Sequence, residues 1–318
     1  MKIKPEVFPS PDGKRYRSFN SYLKSLFDCR VHKVSIDAGF SCPNRDGTTG
    51  NTGCIYCSNE SFSFNTRAGR ATVAEQLEAG VRYMRKRFRA EKFIAYFQAF
   101  SSTYAPVHEL KALYDNIKNY PEIVGLFIGT RPDCVPNPVL ELISSYSERY
   151  ITWIEYGLQS SCETTLERIK RGHGVAEFTD AVNRTRALGI EVCAHVILGL
   201  PGETEKEMLA TAEYLGRVGV NGVKLHVLHI LQNTPLAAMY AARPFKLLSL
   251  DEYVSLACNF LELIPPDVIL LRLAAKAPDD LLVGPSWCAS STKKAQDAIE
   301  VELERRDSFQ GRLFGQPS

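Results

Sequence analysis

What most constrains this chain is a strict alternation of two kinds of segment. Short runs rich in β-branched and apolar residues fall at 31–36, 93–98, 123–129, 151–157, 191–198 and 222–230, each closed by a loop with turn chemistry. Helix-period patterns fill the gaps, at 73–90, 107–119, 138–148, 176–188 and 203–217. Strands that alternate with helices pair in parallel, because each helix carries the chain back to start the next strand in the same direction. Six such units predict an α/β fold, a partial TIM-like barrel of the (β/α)6 type, although spacing alone leaves an open sheet as the alternative. Local signals agree. Thr72 with Glu75 three residues on is a capping box ahead of the 73–90 helix. Gly189 stands where a helix end needs a left-handed residue.

Beyond residue 250 the pattern changes. A helix near 251–263 precedes Pro265 and Pro266, an apolar strand at 268–275, a loop with Trp287 and Cys288, and a charged helix near 292–306. The chain therefore divides into an arm (1–16), a core (17–258) and a small α/β extension (259–318) that caps the core, with the last dozen residues expected to fray.

Side chains alternate across a strand, so each run splits into two faces. One face reads Val34 and Ile36, Phe93, Ala95 and Phe97, Leu225 and Val227, which suits packing under helices. The other carries Lys33, Ser35 and Asp37; Tyr96 and Gln98; Trp153, Glu155 and Gln159; His195; Lys224 and His226. Barrel interiors are ordinarily filled by Val, Ile and Leu. A polar lining is costly unless something satisfies it, so the lumen is expected to hold a sizeable polar ligand. A wet edge strand would explain one such face, not five.

Nine cysteines are many for 318 residues, and an odd number does not suit a disulfide scaffold. Cys193 and Cys258 lie in apolar stretches and read as small buried hydrophobes. Three others, Cys42, Cys54 and Cys57, form a C-x11-C-x2-C motif directly after the first strand. Three thiolates leave the fourth iron of a cubane open to a ligand, and Gly47, Gly50 and Gly53 let the backbone wrap tightly. A structural zinc site is the alternative, but it wants a fourth ligand. There is no second C-x-x-C, and His32 would have to fold back. The N-terminus lacks a signal-peptide core. No apolar run approaches the roughly 18 residues of a membrane span, so a cytoplasmic protein with no membrane partner is expected.

The motif resembles the radical S-adenosylmethionine (SAM) superfamily, in the long-gap variant of the Elongator catalytic subunit. The wider set GFSCPNRDGTTGNTGCIYC, AYFQAFSSTYA, GTRPDC, GLQS, KRGH, HVILGLPGET and KLHVLHI is similar to the bacterial YhcC/YtqA-type group, and LLVGPSWC extends the likeness toward the C-terminus. The resemblance implies a 4Fe–4S cluster on Cys42, Cys54 and Cys57, with SAM as second cofactor and an external electron donor of the flavodoxin or ferredoxin type. It implies that SAM is cleaved to a 5′-deoxyadenosyl radical, which abstracts a substrate hydrogen atom.

By the same resemblance Tyr56 packs near adenine and Ile197 faces it. Gln159 meets the ribose, as in the oxygen-independent coproporphyrinogen oxidase branch, and Arg171 meets the methionyl carboxylate, a pairing that suits its planar fork. Backbone carbonyls near Gln98 and Phe100 serve the methionyl amine. Glu155 accepts from ribose hydroxyls, or forms an internal salt bridge with Lys33 or Lys224. His195 falls at a ribose-side acid position and also reads as a core histidine. Arg131 and Asp133 position substrate or SAM, or form a loop ion pair. From their strand alternation, Lys224 and His226 are expected to face the substrate, with a Lys224–Glu155 pair as the alternative.

Relatives imply tRNA, and specifically a wobble-uridine side chain, as the substrate. Arg82, Arg85, Lys86, Arg87, Arg89 and Lys92, and separately Lys14, Arg15 and Arg17, are basic clusters that fit nucleic acid or a solvated face equally. A small-metabolite radical enzyme, a zinc barrel hydrolase and a non-catalytic iron–sulfur binding protein are the competing readings.

Overall fold

The strand-forming runs pair side by side in the order in which they occur. In this computed structural model, which describes residues 8, 10, 12–58, 61, 71–289 and 292–316, the first six are β1 (Val31–Ile36), β2 (Lys92–Phe97), β3 (Ile123–Thr130), β4 (Ile151–Gln159), β5 (Glu191–Leu198) and β6 (Gly222–Val227). The 222–230 run breaks in two. Its end, β7 (Ile230–Leu231), leaves the sheet and pairs antiparallel with β9 (Leu282–Gly284). A seventh parallel strand, β8 (Ile269–Arg272), lies against β6. The six expected strands thus form the partial barrel, and the strand expected in the extension joins them as a seventh. Pairing partners are long-range information, and a strand isolated behind two prolines gave no sign of joining the sheet.

The helices are α1 (Phe19–Phe27), α2 (Val73–Phe88), α3 (Val107–Tyr114), α4 (Asn137–Ser144), α5 (Glu163–Arg168), α6 (Val175–Ala187), α7 (Glu205–Val218), α8 (Pro235–Ala242), α9 (Leu250–Leu263) and α10 (Thr292–Arg305). The Thr72–Glu75 capping box starts α2, and Gly189 follows α6 at φ +73°. The 107–119 helix tightens into a 3₁₀ turn at Asp115–Asn119. The outer sheet face (Val34, Ile36, Phe93, Ala95, Phe97, Leu225, Val227) joins Leu77, Leu110, Phe178 and Leu215 from the helices in one buried core. Burying each large side chain contributes about 1.5–3 kcal/mol.

The inner face is split into two storeys, not polar throughout as the alternation suggested. Its lower storey is apolar: Val31, Ile94, Phe127, Trp153, Cys193 and Ile269 pack together. Trp153, counted with the polar face from sequence, stacks on Phe127 here, ring centroids 5.6 Å apart. α1, unanticipated within the N-terminal region, plugs this end. Tyr22 meets Trp153 edge-on at 5.9 Å and Phe19 meets Phe127 at 5.8 Å. With the strands' N-terminal ends sealed, the lumen opens only toward their C-terminal ends, where loops build sites in barrels of this kind.

Of the last dozen residues, expected to fray, Ser308 and Gln310 are anchored, while 317–318 lie outside the described residues. Ser308 and Gln310 are fully buried. Gln310 donates to the carbonyls of Pro265 and Val268 at 2.7 and 2.8 Å and accepts from the Arg17 backbone at 2.9 Å. It thereby ties the N-terminal arm to the C-terminal segment.

Candidate active site at the strand ends

The cysteine loop leaves the C-terminal end of β1. Its turns close on themselves: Arg45 N–H donates to Cys42 O (2.8 Å), Thr49 to Pro43 O (2.7 Å), Gly53 to Asn44 O (2.6 Å) and Cys57 to Cys54 O (3.0 Å). Asn44 is buried and braces the loop from inside, donating to Lys170 O at 2.8 Å and toward Cys54 Sγ at 3.6 Å. A side chain at Gly50 would put Cβ 2.5 Å from Asn44 Oδ1, which explains a glycine there. Ile55 pins the paired cysteines, its N–H on Ile169 O at 3.1 Å and its carbonyl accepting from Leu236 N–H at 2.9 Å.

The thiols face a cavity of about 270 Å³. Cys57 feels both Cys54 and Cys42 electrostatically, so the three are neighbours. Among the described residues no group of three His, Cys, Asp or Glu side chains is closed tightly enough to hold a metal ion, so the thiols line the cavity without being drawn onto one point. Burial alone would raise Cys54, but the guanidinium of Arg171, seconded by Arg131, lowers it instead. Burial and the charge of Cys54 push Cys57 up.

Arg171 reaches this loop through a gap in β4. A bulge at Leu158 puts Gly157 opposite His195 and Gln159 opposite Val196, and Gln159 takes φ +79°. Bulges next to sites serve to re-aim side chains. A Cβ at Gly157 would lie 2.6 Å from Arg171 Nη2. In that space Arg171 donates twice to Gly157 O (3.1 and 2.7 Å) and directs Nη1 to Cys54 Sγ at 3.4 Å. Arg131 holds the Arg171 backbone, donating to Arg171 O at 2.9 Å and Gly172 O at 3.1 Å, while a bidentate pair with Asp133 (2.9 and 2.7 Å) fixes its own fork. Of the two roles open to Arg131 and Asp133, the loop ion pair is present.

Deeper in the lumen Glu155 is a hub. Its fully buried carboxylate meets Lys33 at 2.7 Å, His195 Nε2 at 2.9 Å and Lys224 Nζ. Lys224 also donates to the Tyr96 hydroxyl at 3.2 Å. Burial opposes ionisation of Glu155, yet Lys224, Lys33 and His195 together hold its carboxyl well below the usual range. Burial pushes Lys224 down to about 7, against the pull of Glu155. These two directions bear oppositely on one contact. The carboxylate's is firmer, because three partners act on it in the same sense. Burial takes His195 down to about 4 and His226 well below its ordinary value, so both rings are neutral at pH 7.

Of the residues singled out for the cluster, SAM and substrate, Cys42, Cys54, Tyr56, Cys57, Gln98, Phe100, Arg131, Glu155, Gln159, Arg171, His195, Ile197, Lys224 and His226 line this one cavity, and Asp133 does not. His32 does not; its ring stacks on Phe88 at 4.6 Å, at the sealed end of β1. The basic run of α2 also sits at that sealed end, where α2 turns into β2, with Arg82 on Glu78 and Arg85 on Glu122. The second basic cluster is engaged internally, Lys14 on Glu300, Arg15 on Asp307 and Arg17 on the Asp267 carbonyl. Sequence reasoning missed Arg45, His229, Arg272 and Lys276, which also line the cavity. Arg45 and His229 lie inside the quoted GFSCPNRDGTTGNTGCIYC and KLHVLHI segments without having been singled out, and no motif marks Arg272 or Lys276.

A curled parallel sheet, sealed below and carrying three thiols and a buried arginine at its open rim, defines the half-barrel class of iron–sulfur enzymes that use SAM. Residues 46–215 match the model of the Radical SAM superfamily and residues 220–305 that of the Radical SAM C-terminal domain. The chain belongs to the radical SAM superfamily. It is 39% identical to YtqA of Bacillus subtilis, over 96% of this chain and 95% of that one, and 38% identical to YhcC of Escherichia coli, over 96% and 97%. Among solved structures it is similar in fold to the archaeal Elp3 of Methanocaldococcus infernus. The TM-score is 0.67 at 17% identity, covering 89% of this chain and 64% of that one.

This is accordingly a radical SAM enzyme that works with a 4Fe–4S cluster and SAM. The site fits that pair. Three thiols with cationic Arg45, Arg131 and Arg171 beside them suit an anionic cluster, which displaces the zinc reading. No helix among the described residues is long and apolar enough to cross a membrane.

Proposed function

We propose that this enzyme modifies the side chain of a tRNA wobble uridine by hydrogen-atom abstraction, taking electrons from a flavodoxin- or ferredoxin-type donor in the cytoplasm. The observation that carries this reading is a single cavity with two chemically distinct ends. Near the thiols stand Tyr56 and Arg171, both against Cys54; deeper lie Lys224 on Glu155 and His226, with Ile197 beside His226 on the neighbouring strand. Bound cluster and SAM supply a primary-carbon radical there; the chain's own residues bind, orient and exclude water.

Cys42, Cys54 and Cys57 hold the cluster. Tyr56 and Ile197 flank adenine, Gln159 meets the ribose, and backbone at Gln98 and Phe100 receives the methionyl amine. Arg171 offers its guanidinium to the methionyl carboxylate and shields the Cys54 thiolate as well, a double role that sequence did not suggest. Glu155 already has three donors, so we assign it and His195 to holding Lys224 in place rather than to binding ribose. Lys224 acts within that pair as a positioning residue. His226, whose Nε2 has no hydrogen-bond partner among the described residues, is the group left to touch substrate.

The test is anaerobic reconstitution followed by reaction with SAM and dithionite, with and without bulk tRNA lacking the mature modification. Tight coupling of 5′-deoxyadenosine formation to tRNA, with a mass change in the released wobble nucleoside, is expected. Deoxyadenosine formation indifferent to tRNA, with no altered nucleoside, would refute the substrate and favour a small metabolite.

A further inference from the structure

The seventh strand brings to the cavity wall a cation that pairs with no other side chain among the described residues. β8 runs beside β6 with Gly222 opposite Ile269 and Val223 opposite Leu270, but Lys224 is opposite Arg272. The intervening Leu271 is a bulge, and it keeps to the lumen, where it crowds Gly222. Without that extra residue, alternation would turn Arg272 outward with Leu270. With it, Arg272 stands beside Lys224 on the cavity wall.

The other cations of that wall are engaged. Arg131 is on Asp133, Lys224 on Glu155 and Lys276 on Asp279, while Arg171 donates to Gly157 and Arg45 to the Cys57 carbonyl. Arg272 lies on the solvent-exposed side of the cavity wall and has no hydrogen bond or ion pair among the described residues. Glu155 is the one carboxylate among the described residues lining the cavity, and it is already surrounded. Two neighbours share the condition: Nε2 of His226 and Nε2 of His229 are buried without a partner. Two buried ring nitrogens, from β6 and the loop after it, thus stand without a partner beside the exposed guanidinium of Arg272.

We propose that Arg272 is the substrate-recognition cation of this enzyme, binding an anionic group of the substrate, a carboxylate or a phosphate, beside the Nε2 atoms of His226 and His229. The fork of an arginine suits either anion bidentately. The positive charge of Arg272 already bears on Lys224, His195, His226 and His229, holding each toward its neutral form; an arriving anion would relieve that. The inference rests on this end of the cavity being the substrate end, but not on the substrate being tRNA.

The experiment uses no tRNA. Reconstituted protein saturated with SAM, so that the methionyl carboxylate site is filled, is titrated calorimetrically with sodium acetate and separately with inorganic phosphate. Wild type is expected to bind one equivalent of one of the two. A preference for acetate assigns a substrate carboxylate, a preference for phosphate a nucleotide phosphate. Arg272→Gln should weaken that binding by about tenfold or more, the scale of a charged hydrogen bond, with Arg272→Lys intermediate. Iron content measured on the same samples verifies that the variants are folded and loaded. Wild type that binds neither anion, or R272Q that binds as tightly as wild type, overturns the proposal. Failure of tRNA to couple SAM cleavage would leave it standing, so the two readings fail separately.

Discussion

Replacing Glu155 by Gln tests the core of the site most sharply. The carboxylate is fully buried and meets two ammonium groups and a neutral imidazole at once, with Lys224 itself almost inaccessible. Removing one partner of a buried pair costs about 3–5 kcal/mol, because the remaining charge stays buried. Unfolding entropy of about 2.1 cal/mol/K per residue gives roughly 0.67 kcal/mol/K over 318 residues. The melting temperature should therefore fall by about 5–8 °C. The loss should also depend on pH. Lys224 sheds its proton near 7 in the folded chain and near 10.5 in the unfolded one, so between those values the unfolded chain binds more protons and stability rises with pH. At pH 6 the variant must bury an uncompensated ammonium or discharge it. At pH 9 the amine is already neutral, Lys33 alone remains uncompensated, and the cost should drop to about half. Calorimetry of the reconstituted protein at pH 6 and pH 9 reads both numbers. A loss under about 1 kcal/mol at pH 6, or one that is the same at both pH values, would refute the hub and return Glu155 to the ribose.

Cys42→Ala, Cys54→Ala and Cys57→Ala should each abolish stable iron incorporation, whereas Cys193→Ser, on a thiol packed in the apolar lower storey, should leave iron content at wild-type level by ferrozine assay. Arg171→Ala should weaken SAM binding and also speed cluster loss in air, because its guanidinium touches Cys54 Sγ as well; wild-type cluster lifetime would remove the second role. Glu203, which accepts from Ser160 but leaves Oε2 buried without a partner among the described residues, is pushed by burial from 4.5 up to about 7. Its contribution is fully present below pH 4.5 and lost as pH rises through 7. Glu203→Gln should therefore gain stability relative to wild type between pH 5 and 8, by about 1–3 kcal/mol, and a flat difference in denaturation midpoint across that range would exclude it.

The sequence by itself determined what is local or written in a motif. Periodicity located β1 to β6 and the longer helices between them, though not the short α5, because burial under helices demands the same apolar runs wherever the chain ends up. The thiol spacing and the polar residues at strand ends identified the three thiols and the polar side chains that the cavity gathers from β2, β4, β5 and β6: Tyr96, Glu155, Gln159, His195, Lys224 and His226. Tertiary structure decided what depends on who sits next to whom. Trp153 and Lys224 share a lumen-facing alternation, and only the plug of α1 makes one apolar floor and the other active-site wall. Glu155 could have reached ribose or lysine; the convergence of three strands on one carboxylate chose lysine. Arg272 lay unmarked within the 268–275 run of the capping extension. Pairing with β6, and a single bulged residue that reverses which face a side chain takes, put it in the lumen, and neither the partner nor the bulge is encoded in any local pattern.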